Sequence, residues 1–197
     1  MKRQSQFDAG RVSAISDGIF AIAMTLLVLD VKLPELEPGI SSRAFASAVI
    51  QQGPRFLSWL LSFAILARLW IIQHGLLAEG DTRSRGFVGW TFLFLGAVSF
   101  TPFPTSLLSE HHDQALSIWI FSATLAVAGI GLLGMWRAEQ ATEEGRPSPE
   151  DSPRGLMFLL LATAVVSSGV ALASPTVGVW VWAAFPIVAV VLARHGR

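Results

Sequence analysis

The chain has 197 residues, 52% hydrophobic and 14% charged, with a formal net charge of +0 and neither cysteine nor tyrosine. A soluble domain carries about 25% charged residues, so this composition, with a mean hydropathy of +0.56, excludes an ordinary globular surface and points to an integral membrane protein. The missing cysteines exclude disulfides, thiolate metal sites and cysteine nucleophiles, and the balanced charge gives no sign of nucleic-acid binding.

A bilayer core about 30 Å thick takes about 20 mostly apolar residues per helix. Six stretches meet that demand: 12–33, 45–77, 86–108, 115–136, 155–173 and 175–193. The first is closed by Pro34, and the second opens on a mildly polar third containing Ser47, Gln51, Gln52 and Arg55. Pro153 and Pro175 stand at or just before helix starts, where proline is tolerated. No ten-residue run alternates with period two, which argues against a β-barrel. Between the fourth and fifth stretches, 137–154 reads as a solvated linker because of Glu143, Glu144, Gly145, Pro147, Ser148 and Pro149. The expectation is an all-α membrane protein, one six-helix domain over residues 1–197 with no internal repeat.

Basic residues orient the helices. With the N-terminus inside, the cytoplasmic side receives Lys2, Arg3, Arg11, Arg83, Arg85, Arg137, Arg146, Arg154, Arg194 and Arg197, and the outside only Lys32 and Arg43. Both termini are therefore expected in the cytoplasm, and the first stretch is too long an apolar run for a cleavable leader.

The first stretch carries the polar anomaly. Asp17 lies inside it, where an ionised carboxylate is costly and normally faces protein or water with a partner. Arg11 is six residues away, about 120° around the helix, so each is expected to find its partner elsewhere. Ile15, Ile22 and Leu29, spaced by seven, form a stripe with Thr25 and Leu26, and Asp17 lies about 140° from Ile22. Such a stripe reads either as ordinary core or lipid-facing surface, or as the hydrophobic constriction of a pore.

The string Arg11-x-x-x-Ile15-Ser16-Asp17, followed by Gly-Ile-Phe-Ala-Ile-Ala-Met-Thr-Leu-Leu-Val-Leu-Asp30, resembles the Arg-x-x-x-Phe-Ser-Asp motif of the bacterial relatives of the lysosomal potassium channel, the transmembrane protein 175 family. Ser62-Phe63, Trp70-Ile-Ile-Gln-His74 and Pro102-Phe103-Pro104-Thr105 are similar to further family patterns. The resemblance implies a homotetrameric, potassium-permeable cation channel of the bacterial inner membrane, with no cofactor and with potassium as the permeant ion. The first helix of each subunit would line a central pore. It also implies a constriction at Ile22, with Thr25, Leu26 and Leu29 as the next pore-facing positions. Arg11, Ile15, Ser16 and Asp17 would tie the first helix to its neighbours near Trp70 and His74 and so support assembly. Ile15 stands where the motif has phenylalanine, and the family's asparagine expected near Thr91 on the third helix is missing.

Other features have plainer readings. Asp30 is either part of a carboxylate ring at the outer pore mouth or an interface residue paired with Lys32 or Arg43. Thr176-Val-Gly-Val-Trp180 is similar to a carbonyl filter but lacks its second glycine and begins a helix. His111-His112 has no third spaced histidine to make a metal site. Without a phosphate loop or a nucleophile–base pair, an enzyme is not expected. The rivals to the channel are a proton-coupled secondary transporter, using Asp17, His74 and Arg68 as a relay, and a non-conducting scaffold.

Overall fold

The computed structural model describes residues 7–32, 36, 38–78, 81–141 and 154–195. Most of the 137–154 linker, with Lys2, Arg3, Glu79, Arg146 and Arg197, lies outside them. The regular structure of the described residues is helical apart from β1 (Phe7–Asp8) and β2 (Thr82–Arg83), an antiparallel pair in which Phe7 faces Arg83 and Asp8 faces Thr82.

The first apolar stretch is α1 (Ala9–Leu26), continued by a 3-10 turn over Leu27–Asp30. Asp8 caps it, accepting from the Arg11 backbone N–H at 2.8 Å. The second stretch is two helices rather than one. α2 (Ser42–Gln51) ends at Gln52, whose ψ of 1° leaves the helical region, and α3 (Gly53–Leu77) restarts with Pro54 in its first turn. The polar onset at Ser47, Gln51 and Gln52 accounts for the break: these side chains gain little from apolar burial, and proline fits a first turn because it has no N–H to satisfy. The third stretch is likewise divided, into α4 (Arg85–Phe100) and α5 (Pro102–Glu110). Pro102 and Pro104 cannot donate back to the preceding turn, which breaks the hydrogen-bond ladder at Thr101.

α6 (Ala115–Gln140), α7 (Arg154–Ala171) and α8 (Pro175–His195) complete the bundle. Among the described residues, four stretches are long and apolar enough to cross a bilayer: Ala9–Asp30, Gly53–Leu77, Arg85–Glu110 and Ala115–Gln140. Gly155–Ala171 and Pro175–Ala189 are shorter apolar helices. The protein is thus a multi-pass helical membrane protein.

α6 packs mainly against α4 and α7, and α7 against α8. Two glycines make the α4–α6 approach possible. A Cβ on Gly131 would stand 2.8 Å from the Phe94 Cβ, and one on Gly134 would stand 2.1 Å from the Trp90 ring. Buried hydroxyls knit the helices further: Trp182 Nε1 donates to Ser122 Oγ at 2.9 Å, and Thr105 Oγ1 to Ser62 Oγ at 2.8 Å.

Candidate functional site

α1 has two faces. Val12, Ser16, Phe20, Ala23 and Leu27, at spacings of three and four, are buried against the bundle. The opposite face is unpartnered within one chain: Ile22 is 61% exposed and Leu29 60%, with Ile15, Leu26 and Thr25 also exposed. The Thr25 hydroxyl donates to Ala21 O at 2.9 Å and Ile22 O at 2.8 Å. Its proton is thus spent inside the helix, while oxygen lone pairs stay free to accept.

Between these faces lies a polar contact with α3. Trp70 Nε1 donates to Asp17 Oδ1 at 2.8 Å, and the His74 ring stacks on Trp70 with centroids 5.1 Å apart. Next to it, Gln73 Nε2 donates to Ser16 Oγ at 2.9 Å, and Ser16 donates to Val12 O at 2.9 Å. Ser16 and Gln73 are each 1% exposed, so their pairing satisfies groups cut off from solvent.

Asp17, Ser16, Trp70 and His74 are therefore brought together, and Gln73 is a member that residue patterns alone missed. Its signal was the three-residue spacing from Trp70, which puts both side chains on one α3 face. Arg11 is not in this cluster: its side chain is exposed and has no partner among the described residues. Ile15 is on the exposed face, where no ring is required to fill a packed core. Thr91, at the position where asparagine was expected, turns its hydroxyl back to Phe87 O at 3.0 Å.

At the other end of α1, Asp30 is held by α5. Ser106 Oγ donates to one of its carboxylate oxygens at 2.8 Å, and Ser109 Oγ donates to the other. Neither Lys32 nor Arg43 is paired with it; the ion pairs among the described residues are Arg55–Glu110 at 3.3 Å and Arg83–Glu139 at 3.7 Å. Arg68 lies on another side of α3 and donates to Ala189 O of α8 at 3.3 Å, so the relay of Asp17, His74 and Arg68 is not assembled. Thr176 to Trp180 form the first turn of α8, with their backbone inside the helix. Gly178 packs there against Ser167 and Ala171. No group of three metal-ligating side chains occurs among the described residues.

A multi-pass helical protein, with its first helix held by polar contacts at Ser16 and Asp17 and beyond its C-terminal end at Asp30, and carrying an unpartnered aliphatic face, is the class these observations define. Residues 11–102 match the family described as the endosomal/lysosomal potassium channel TMEM175. A protein named a potassium channel from Chamaesiphon minutus is 33% identical over 67% of this chain and 66% of its own length. One so named from Streptomyces collinus is 30% identical over 66% of this chain and 63% of its own. The human protein named endosomal/lysosomal proton channel TMEM175 is 31% identical over 64% of this chain and 27% of its own. The matched region thus spans just under two thirds of the bacterial relatives and about a quarter of the human one. The crystal structure of a lysosomal potassium-selective channel TMEM175 homolog from Chamaesiphon minutus superposes with a TM-score of 0.77 at 26% identity, covering 96% of this chain and 98% of that one. The chain belongs to the TMEM175 family, a family of ion channels and not of enzymes.

Proposed function

We propose that this chain is one subunit of a homotetrameric, potassium-permeable cation channel in which four copies of α1 line a central pore. The observation that carries the reading is the exposed face of α1: Ile22, Leu26 and Leu29 stand unpartnered on a helix whose other face is firmly held by the bundle. A fourfold arrangement gives that face a counterpart. Rings of Ile22 narrow the pore and force a permeating ion to shed water, and the acceptor lone pairs of Thr25 ease its passage one turn further on.

In this reading Ser16, Asp17, Trp70, Gln73 and His74 position the pore helix, and Asp30 sits at the outer mouth, where four carboxylates raise the local cation concentration. Residues 1–197 act as one six-helix domain of the bacterial inner membrane, with both termini cytoplasmic and no cofactor. Its partners are its own copies, the bilayer, potassium and other monovalent cations. Two relatives are named potassium channels and the human one a proton channel, so monovalent cation passage is the shared property their names support.

The absence of native cysteine makes a direct test possible. Ile22→Cys is expected to render the potassium current sensitive to a thiol reagent, while Val165→Cys, exposed on α7, leaves it unaffected. A current blocked through Val165→Cys but not through Ile22→Cys removes α1 from the pore.

A further inference from the structure

Arg68 is the sixteenth of the 25 residues of α3, near mid-span. One of its terminal nitrogens donates to Ala189 O at 3.3 Å, while Nε is buried with no acceptor. No carboxylate pairs with it among the described residues. A guanidinium carries five N–H donors, so a single carbonyl leaves most of them unmet where an unpaired charge is costly.

One turn toward the N-terminal ends of α3 and α8, a groove opens between the two helices. Leu57, Leu61 and Ala64 line it from α3, and Trp180, Ala183 and Pro186 from α8, around a volume of about 360 Å³. Ala64 precedes Arg68 by one turn and Pro186 precedes Ala189 by three residues, so the Arg68–Ala189 bond lies about one turn beyond the groove's inner end. Pro54, His112 and Thr176 frame the other end. From Pro54 to Ala64 the groove runs about 15 Å at helical rise. Helical side chains lean toward the helix N-terminus, which for Arg68 is the groove side.

We propose that Arg68 and this groove form a binding site for a single-chain anionic amphiphile, a long-chain carboxylate. The carboxylate pairs with the planar guanidinium, whose fork matches its two oxygens, and the chain runs along the apolar walls to the level of Trp180. A two-chain phospholipid fits less well: the volume is at the low end of the ~300–1,000 Å³ of ligand cavities, room for one chain rather than two. The site is on the far side of α3 from Trp70, so it stands apart from the pore-helix contacts and does not depend on the conduction reading.

The test uses the full-length protein in lipid nanodiscs and dodecanoic acid brominated at its terminal carbon, in mildly alkaline buffer where the free acid is ionised. Bromine quenches tryptophan on contact, and subtracting the Trp180→Phe signal isolates Trp180. The acid is expected to quench Trp180 saturably at concentrations about tenfold below those needed by the terminally brominated alcohol. That advantage is lost in Arg68→Gln and only reduced in Arg68→Lys, which keeps the charge without the fork, and Ala64→Phe, which fills the groove, removes saturable quenching by both. Equal quenching by acid and alcohol in the unsubstituted protein overturns the proposal without requiring any variant to fold. So does quenching that only tracks the amount of probe in the bilayer. Absence of quenching, as when a neighbouring subunit covers the groove, overturns it too.

Discussion

The Trp70 indole N–H donates to the Asp17 carboxylate at 2.8 Å, joining the pore-helix candidate α1 to α3. The bond gives an intramembrane carboxylate a donor, and stacking on His74 holds the indole in place. Asp17→Asn weakens a charge-assisted bond to a neutral one, and Trp70→Phe deletes it. Both substitutions are expected to lower the yield of assembled oligomer, Trp70→Phe more so, while the conductance of the oligomers that do form stays within about twofold. Size-exclusion chromatography alongside single-channel recording checks this; normal assembly with altered conductance would move Asp17 into the permeation path.

The adjacent Ser16–Gln73 bond is neutral and buried, and it answers to a double-substitution cycle. Gln73→Leu and Ser16→Ala are each expected to destabilise the protein by about 1–2 kcal/mol, with a coupling of about 1 kcal/mol between them. Thermal or denaturant unfolding in detergent measures both quantities. Additive effects would mean that the bond contributes nothing to stability.

The legibility of this cluster was uneven for physical reasons. Asp17 is conspicuous because a carboxylate in an apolar run needs an explanation, and Trp70 and His74 stand out through their resemblance to a family pattern. Gln73 sits between them and is unremarkable until its partner on another helix is known. The same holds for Ser106 and Ser109, two ordinary serines until α5 folds them against Asp30. Hydropathy ran across the interruptions at Gln52 and Thr101, because a break in hydrogen bonding need not be a break in apolar character. The unpartnered face of α1 was visible as periodicity, yet a stripe alone does not distinguish core from surface; the burial of Phe20, Ala23 and Leu27 opposite it does.

The α4–α6 contact depends on the absence of a side chain at Gly134, directly over the Trp90 ring. Gly134→Ala is expected to cost about 1–3 kcal/mol through overpacking, and Trp90→Ala in the same chain should recover part of that loss. Melting temperature in detergent reports both. An unaffected Gly134→Ala would show that the indole has room to move.

The structural role of Asp30 and the electrostatic role proposed for it separate by salt. Asp30→Asn keeps an acceptor for the α5 serines but removes a charge from the outer end of α1. It is expected to reduce conductance severalfold at low ionic strength, with the difference closing as salt shortens the screening length to about 3 Å at 1 M. A deficit independent of salt would assign Asp30 to packing alone.

Ile22→Asn replaces the bulk proposed to narrow the pore with a hydrated side chain. Leak is expected to rise, and discrimination between potassium and sodium to fall, in the variant recorded under matched conditions. Unchanged flux and selectivity would remove Ile22 from the constriction.

The central claim is conduction itself, and the reversal potential of the purified protein in planar bilayers under a potassium/sodium gradient tests it most directly. The account predicts discrete unitary currents that reverse toward the potassium equilibrium potential. Well-assembled protein that gives no unitary current, but only slow, saturable, pH-coupled flux, would contradict it and recast Asp17 and His74 as parts of a carrier.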